Sequence, residues 1–258
     1  MKQVLLNFLK HRELLNYLVE RDIKVKYKRS ILGVVWTVLN PLLMMVVLTI
    51  VFSNVFRQDI ENFPVYLLCG QIIFNFFSEA TTVAMSSVIG NATLIKKVYI
   101  PKYIFPLSKV LSSMVTLLAS CIALIIVMMA TGTPVRPTFF MVVFPILYLF
   151  MFSLGVGLIL AAVAVDFRDI LHLYSVLITA WTYLTPIFYP ITILPDWIAK
   201  LVYMNPLTTI LQLFRDAVLY GTISSIRMHL ICVGTSLFVL LLGGFIFKKK
   251  LAGFILKI

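Results

Sequence analysis

Six long runs of apolar residues constrain this chain more than any other feature of its sequence. They cover residues 31–56, 65–90, 107–131, 139–165, 171–189 and 228–247. A helix needs about 20 residues to cross a bilayer, and the first four runs are long enough to require tilt. The apolar residues do not alternate with polar ones, as they do in membrane β-strands. The chain is therefore predicted to be an all-α polytopic membrane protein with six transmembrane helices.

The composition supports this class. Apolar residues make up 61% of the 258 residues and charged residues 12%, against about 45–50% and about 25% in soluble domains. An ordinary soluble enzyme, a disordered chain and a secreted disulfide scaffold are excluded on this ground. We expect one transmembrane domain over 1–258, with a polar segment at 1–30, the six-span bundle at 31–247 and a basic tail at 248–258.

The basic residues are distributed unevenly between the two sides of the predicted bundle. Six spans place both termini on one side, and that side carries 17 of the 22 Lys and Arg residues. Positive charge accumulates on cytoplasmic loops, so we expect both termini in the cytoplasm and the protein in a bacterial inner membrane. This asymmetry accounts for the net charge of +12 without a nucleic-acid partner.

The segment 11–29 has helical apolar spacing, with Leu14, Leu15, Leu18 and Ile23 on one face. This pattern is typical of an amphipathic helix in the membrane interface. It is either a simple topological anchor or a docking platform for a cytoplasmic partner. Its charged end is a candidate cytoplasmic entrance that attracts a lipid headgroup or ordinary anionic lipid. The candidate residues are Arg21, Asp22, Lys24, Lys26, Lys28 and Arg29.

The loop 91–106, NATLIKKVYIPKYIFP, is cytoplasmic in this topology and combines basic with apolar residues. Pro101 limits any helix here to about two turns. A short amphipathic helix between two spans suits insertion into a partner's groove; the alternative is an interfacial loop half-buried in headgroups. The candidate contact residues are Asn91, Leu94, Ile95, Lys96, Lys97, Val98, Tyr99 and Pro101.

The segment 189–227 lies on the outer side and contains apolar runs too short to cross a membrane. Pro195 suits the first position of a helix through about residue 203, and Asn205–Pro206 turns the chain into a second helix over about 207–219. Two such helices form either a re-entrant hairpin, which must be buried in protein or line a wet cavity, or an extracellular cap. Pro195, Trp197, Asn205 and Pro206 are the candidate outer-gate residues.

Glu79 is an acidic residue deep inside the second span. A carboxylate at mid-bilayer costs roughly 2.5–3.5 kcal/mol on insertion scales, so it should face protein or water. It could be a proton site, a substrate contact or a packing hydrogen bond.

Aromatic residues make up 13% of the chain. Most are expected to face lipid, but flat rings also stack on sugar faces and tolerate sliding. The candidates for lining a channel are Trp36, Phe74, Phe76, Phe77, Trp181, Tyr183, Phe188 and Tyr189.

The sequence lacks the residue patterns of catalysis. It contains no GxxxxGK[ST] phosphate loop, no clustered nucleophile with a histidine, no paired carboxylates in a span and no metal-ligand spacing. We therefore expect a transport subunit that is not an enzyme, binds no metal or cofactor itself and is powered by another protein.

Several stretches resemble the type-2 ABC permeases that export polysaccharides and polyol phosphates. These stretches are residues 12–43, the loop NATLIKKVYIPKYIFP, AVDFRDI at 164–170, YLTPIFYP at 183–190 and MNPLTTILQLFRDAVLYG at 204–221. The resemblance covers nearly the whole chain in the right order. Members of this family are the membrane halves of O-antigen, capsule and teichoic-acid exporters.

The resemblance implies a homodimer with two copies of a separate P-loop ATPase that binds ATP and Mg. It makes the loop around 91–101 the coupling helix, 11–29 the interface helix and 190–221 the outer gate. The implied cargo is a long glycan on undecaprenyl diphosphate, most simply an O-antigen, with capsule or teichoic acid as variants.

Two other functions are compatible with the residues themselves. One is an ABC exporter of a drug or small lipid, and the other is a proton-coupled flippase that uses Glu79.

Overall fold

The computed structural model describes residues 11–28, 30–56, 60, 62–98 and 100–250, with the side chains of 53–56 left aside. This part of the chain is helical and contains no strand. Short 3-10 turns precede α2, α6 and α8, and a π-helical turn follows α9. The α-helices are α1 (Arg12–Tyr27), α2 (Trp36–Phe56), α3 (Phe63–Gly90), α4 (Ala92–Lys97), α5 (Ile104–Ala130), α6 (Val143–Asp166), α7 (Ile170–Leu184), α8 (Asp196–Met204), α9 (Pro206–Arg215) and α10 (Ile226–Lys250).

Five helical segments among the described residues are long and apolar enough to cross a membrane, and they correspond to five of the six predicted spans. They are Gly33–Phe52, Phe63–Gly90, Ile104–Ala130, Pro137–Asp166 and Ile226–Lys250. The predicted span 171–189 forms the shorter α7, whose 15 residues extend about 22 Å. α7 ends at Leu184 because Thr185 precedes a proline and adopts an extended conformation.

α3 is the centre of the bundle. It packs against α2, α5 and α6, and 61% of its most apolar stretch is buried, against 11% for α2. A helix that is apolar and covered on most of its surface belongs in a core. α2 therefore presents most of its surface outside the single chain.

The two ends of the bundle are distinct. At the basal end, α1 packs on the first turns of α5. Its Leu15 and Leu18 belong to an apolar cluster with residues near the ends of α3, α6 and α10 and with Ile95 of α4, which we call the basal cluster. At the distal end, the first turn of α3 meets the segment after α7: the Tyr66 hydroxyl donates a hydrogen bond to the Tyr189 carbonyl at 2.9 Å. The segment after α7, together with α8 and α9, forms this distal end.

α6 and α10 run parallel and form the most extensive helix pair. Near their starts the Tyr148 hydroxyl lies 3.3 Å from His229 Nδ1, and at their ends Lys250 pairs with Asp166 at 2.5 Å. Because both helices end at the basal end, the chain between them returns from the basal to the distal end.

Candidate functional site

A polar groove lies between α1, α2, α3 and α5. It consists of two adjoining cavities of about 620 and 800 Å³ that share Lys26, Thr37, Asn40 and Glu79. Both cavities are half open to the outside of the chain. They lie beside α2, which is the least covered of the five membrane-length helices.

Polar side chains line the groove at helical spacing. On α3, Asn75, Ser78, Glu79 and Thr82 occupy one face, because residues three, four and seven apart lie above one another. The α5 wall carries Ser112, Thr116 and Ser120, each four residues apart. A polar stripe of this length is costly against hydrocarbon, so the groove requires water, another chain or a polar cargo.

Glu79 forms an ion pair inside this groove. Lys26 Nζ lies 2.6 Å from Glu79 Oε1 and 3.3 Å from Thr116 Oγ1. Glu79 is 11 residues from the end of α3 at Gly90, which corresponds to about 16 Å along the helix axis. The side chain of Lys26 therefore reaches the middle of α3. The sequence leaves open a proton site, a substrate contact and a packing hydrogen bond for Glu79. The structure gives its carboxylate a charge partner within the protein, Lys26.

A second ion pair holds α1 on α5. Lys109 Nζ lies 2.9 Å from Asp22 Oδ2, and Arg21 contacts the same carboxylate at 3.2 Å. Leu15 and Leu18 are buried in the basal cluster against the first turn of α5. The predicted amphipathic helix is present, but its apolar face is covered by the protein because α3, α5 and α6 provide apolar partners there.

Two further candidate entrance residues, Lys24 and Lys28, lie outside the groove. Lys24 donates to Glu20 at 2.6 Å on the exposed face of α1, and this hydrogen bond lowers the pKa of Glu20 and raises that of Lys24. Lys28 is exposed, and Arg29 lies outside the described residues.

A short helix, α4, forms where the sequence predicts one between the second and third spans. It begins after Asn91, whose amide donates to the Ser87 carbonyl at 2.8 Å, and ends at Lys97. The structure divides the candidate residues by exposure. Leu94 and Ile95 pack into the basal cluster and fasten α4 to the bundle. Three candidates are exposed, Lys96, Lys97 and Val98. Tyr99 lies outside the described residues, and Pro101 is half-buried beyond the helix.

Three of the predicted channel aromatics need correction. Phe74, Phe76 and Phe77 are between 0% and 4% exposed and belong to the main core. Phe77 contacts the Trp181 ring at 5.1 Å between ring centroids and Phe152 at 5.6 Å. These rings fill the centre of the bundle because they lie on the faces of α3 that α6 and α7 cover, and they do not line the groove.

The other predicted aromatics are more accessible. Trp36 is 41% exposed and lines the groove, and Tyr183 is 67% exposed on α7. The Phe188 ring stacks on Phe52 with a centroid distance of 5.9 Å. Tyr189 donates its hydroxyl to the Tyr183 carbonyl at 2.6 Å.

The two predicted short outer helices are α8 and α9, which we call the outer hairpin. Asn205 Oδ1 caps α9 by accepting from the Leu207 backbone N–H at 3.1 Å, and it also accepts from Trp181 Nε1 at 3.0 Å. Pro195 precedes α8 and Pro206 begins α9, as their fixed φ angles favour. Trp197 is exposed on α8.

The sequence did not single out Arg215, although it is fully buried at the end of α9. The only signal is helical spacing, because Thr208, Gln212 and Arg215 are four and three residues apart on one face. The pairing of Lys26 with Glu79 and of Lys109 with Asp22 was also missed, since these partners are far apart in the chain.

Comparison with known proteins places this helical arrangement in a family. The model of the ABC-2 type transporter family matches residues 13–219. The chain is 34% identical over 209 residues to an O-antigen export system permease protein of Myxococcus xanthus, covering 80% of both chains. It is 30% identical over 213 residues to one of Klebsiella pneumoniae, covering 82% of both. A polysialic acid transport protein of Escherichia coli is 26% identical over 207 residues, with 79% of this chain and 80% of the relative covered. By this match and by its membrane-length helices, the chain belongs to the ABC-2 type transporter family.

Proposed function

We propose that this chain is the membrane permease of an ATP-driven exporter of a cell-surface polysaccharide, and that two copies enclose the passage. The observation that carries this proposal is the polar groove, which opens beside α2, the least covered of the five membrane-length helices. The names of the relatives, O-antigen export permease and polysialic acid transport protein, agree with a glycan cargo.

A groove that is half open in one chain suits a passage between two chains. A second copy related by a two-fold axis would place its own groove opposite the first. Sugars are strongly hydrated, and the hydroxyl and amide groups of the groove can exchange hydrogen bonds with them. We assign the Glu79–Lys26 ion pair to the wall of this passage, which is an alternative to the proton-carrier role for Glu79.

We propose that a separate ATPase binds at the basal end, and that this partner binds ATP and Mg and hydrolyses the ATP. α4 supports this assignment because it exposes two basic side chains, Lys96 and Lys97, while Ile95 fixes the helix to the bundle. A motion imposed on α4 acts directly on α3, because only Asn91 separates the two helices.

We further propose six crossings with both termini in the cytoplasm. Five helices have the necessary length, and the chain also returns from the basal to the distal end over residues 167–225. α7 with the extended residues that follow it is the segment that would make this crossing. The basic residues of α1 and α4 would then face the cytoplasm.

The cargo we propose is a glycan on a diphosphate-linked lipid, with Lys26, Lys28 and Lys109 near the entry of the headgroup. Two observations support this: Lys26 and Lys109 line the groove, and Lys24 and Lys28 line a smaller cavity on α1 that shares Val25 with it. The alternative cargo that is compatible with the sequence is a drug or a small lipid.

The test is reconstitution of the chain with the P-loop ATPase that copurifies with it. Lipid-linked glycan on the inside of proteoliposomes should become accessible to an external glycosidase only when hydrolysable ATP is enclosed inside them. A complex that moves a lipophilic dye and leaves the glycan inside would support the drug-exporter alternative. Movement driven by a proton gradient without the ATPase would contradict the proposal.

A further inference from the structure

We propose that Arg215 is a positioning residue that joins the outer hairpin to α3, so that the hairpin moves together with α3. The proposal rests on the proposed function only for the origin of the motion, which is the partner ATPase at the basal end. The contact involves Arg215, Tyr66, Gly70, Pro186 and Ile187, which together we call the Arg215 site.

The guanidinium group, which α9 carries, makes four contacts with two other parts of the fold: α3 and the segment after α7. Nη1 donates to the Pro186 carbonyl at 2.8 Å, and Nη2 donates to the Ile187 carbonyl at 3.1 Å and the Tyr66 carbonyl at 3.2 Å. The guanidinium carbon lies 3.4 Å from the centroid of the Tyr66 ring. A planar group with several fixed donors can satisfy this arrangement, whereas an ammonium group cannot.

Arg215 has no carboxylate partner among the described residues. The adjacent Asp216 accepts hydrogen bonds from Gln212 at 2.9 Å and from Ser224 at 2.6 Å. A buried cation without a counter-ion is costly unless polar groups surround it. The carbonyls of Pro186 and Ile187 can take this role because α7 has ended at Leu184 and these groups are not used by a helix.

Gly70 makes the contact close. A Cβ atom at this position would lie 2.9 Å from Ile187 Cγ2, 3.1 Å from Ile187 Cα and 3.1 Å from Arg215 Nη2. Any side chain at residue 70 would therefore push the backbone at Ile187 away from α3. The hydrogen bonds of Arg215 and the absence of a side chain at Gly70 both keep Ile187 close to α3.

The position of the junction determines what it can transmit. Tyr66 and Gly70 lie in the first two turns of α3, and α4 follows the opposite end of this continuous 28-residue helix. The outer hairpin is also attached to the end of α7, through Asn205 and Trp181 at 3.0 Å. α9 also packs directly on α3 through apolar residues of the main core, among them Leu207 and Phe214. Loss of the Arg215 site therefore removes the polar part of the junction between α9, α3 and the segment after α7, and the hairpin stays attached through these apolar contacts and Asn205.

The first test compares export with ATP hydrolysis in the full complex. Arg215→Gln, Arg215→Lys and Gly70→Ala should each assemble and hydrolyse ATP within about twofold of wild type, with glycan export reduced about tenfold or more. Arg227→Gln is the control for charge, because this exposed arginine lies at the start of α10, and Gly234→Ala is the control for a helical glycine with open space around it. Both controls should export normally.

A purely structural role predicts a different pattern. Export, ATP hydrolysis and the yield of complex would then fall in parallel in the Arg215 and Gly70 variants, and this result would overturn the proposal. Export at the wild-type level in Arg215→Gln would overturn it as well.

The second test does not depend on cargo. Spin labels at Pro64→Cys on α3 and Lys200→Cys on α8 report the distance between the hairpin and α3, in a background with the three native cysteines replaced by alanine and labelled chains diluted with unlabelled ones. In wild type the distance should be the same without nucleotide and with trapped ATP. In Arg215→Gln it should broaden and change between the two states.

The two tests separate the proposals. A wild-type complex that hydrolyses ATP but moves no glycan contradicts the proposed function, while the distance measurement still decides the role of Arg215. An Arg215→Gln distance identical to that of wild type in both states contradicts the positioning role, whatever the cargo.

Discussion

The crossing of α6 and α10 allows one substitution to be worked out from distances. A Cβ atom on Gly155 would lie 2.6 Å from backbone atoms of Val239 and Leu240, whereas ordinary contact begins at 3.4 Å. The two backbones would have to separate by about 0.8 Å, which is the difference between these values. Gly243 of α10 lies against the Gly155 backbone at the same crossing. Small residues permit such close approach of membrane helices.

The expected decrease in the free energy of unfolding of Gly155→Ala follows from this displacement. Overpacking in a rigid core costs about 1–3 kcal/mol, and the better helix propensity of alanine returns about 0.5–1 kcal/mol. The clashing atoms of Val239 and Leu240 are backbone atoms and cannot rotate away, so the upper half of the overpacking range, about 2–3 kcal/mol, applies. The net loss of about 1–2.5 kcal/mol should lower the unfolding midpoint by about 2–10 °C for a chain of this size. The assay is thermal unfolding in detergent, followed by the fraction of monodisperse protein on size-exclusion chromatography.

Two glycines of α10 serve as controls for this experiment. A Cβ atom added to Gly234 or Gly244 would have no neighbouring atom within 4 Å, so alanine there should leave the midpoint unchanged or raise it. If Gly155→Ala unfolds at the same temperature as Gly234→Ala, the close crossing of α6 and α10 does not exist and this reasoning is refuted.

Three further outcomes are expected. Asn205→Ala removes a helix cap and should lower stability by about 0.5–2 kcal/mol in the same thermal assay; no change would show that water replaces the cap. Lys97→Asp on α4 should reduce ATP-dependent export, measured in proteoliposomes, while Lys200→Asp at the distal end should not; equal effects would contradict ATPase binding at α4. Glu79→Gln leaves Lys26 without its charge partner, so it should lower the free energy of unfolding more than the double variant Glu79→Gln with Lys26→Gln does. The difference should be less than about 1 kcal/mol because the pair is partly exposed. Additive effects of the two substitutions would show that the pair is not formed.

Much of the fold could be predicted from local patterns. Five spans, the amphipathic α1, the six-residue α4 and the two helices of the outer hairpin follow from apolar runs, helical spacing and the positions of prolines. The shorter α7 shows the limit of this reasoning, because hydropathy extends through residue 189 while Pro186 ends the helix at Leu184. Hydropathy measures transfer to lipid, and it does not report backbone hydrogen bonding.

The class of protein and the order of its helices could be read from the chain alone, because both depend on neighbouring residues. Which side chains meet depends instead on how the helices pack. Lys26 and Glu79 are 53 residues apart, and Arg215 and Tyr66 are 149 apart, so no local period relates them. Packing also places Phe77 in the core, because the surroundings of an apolar ring depend on which helices lie around it.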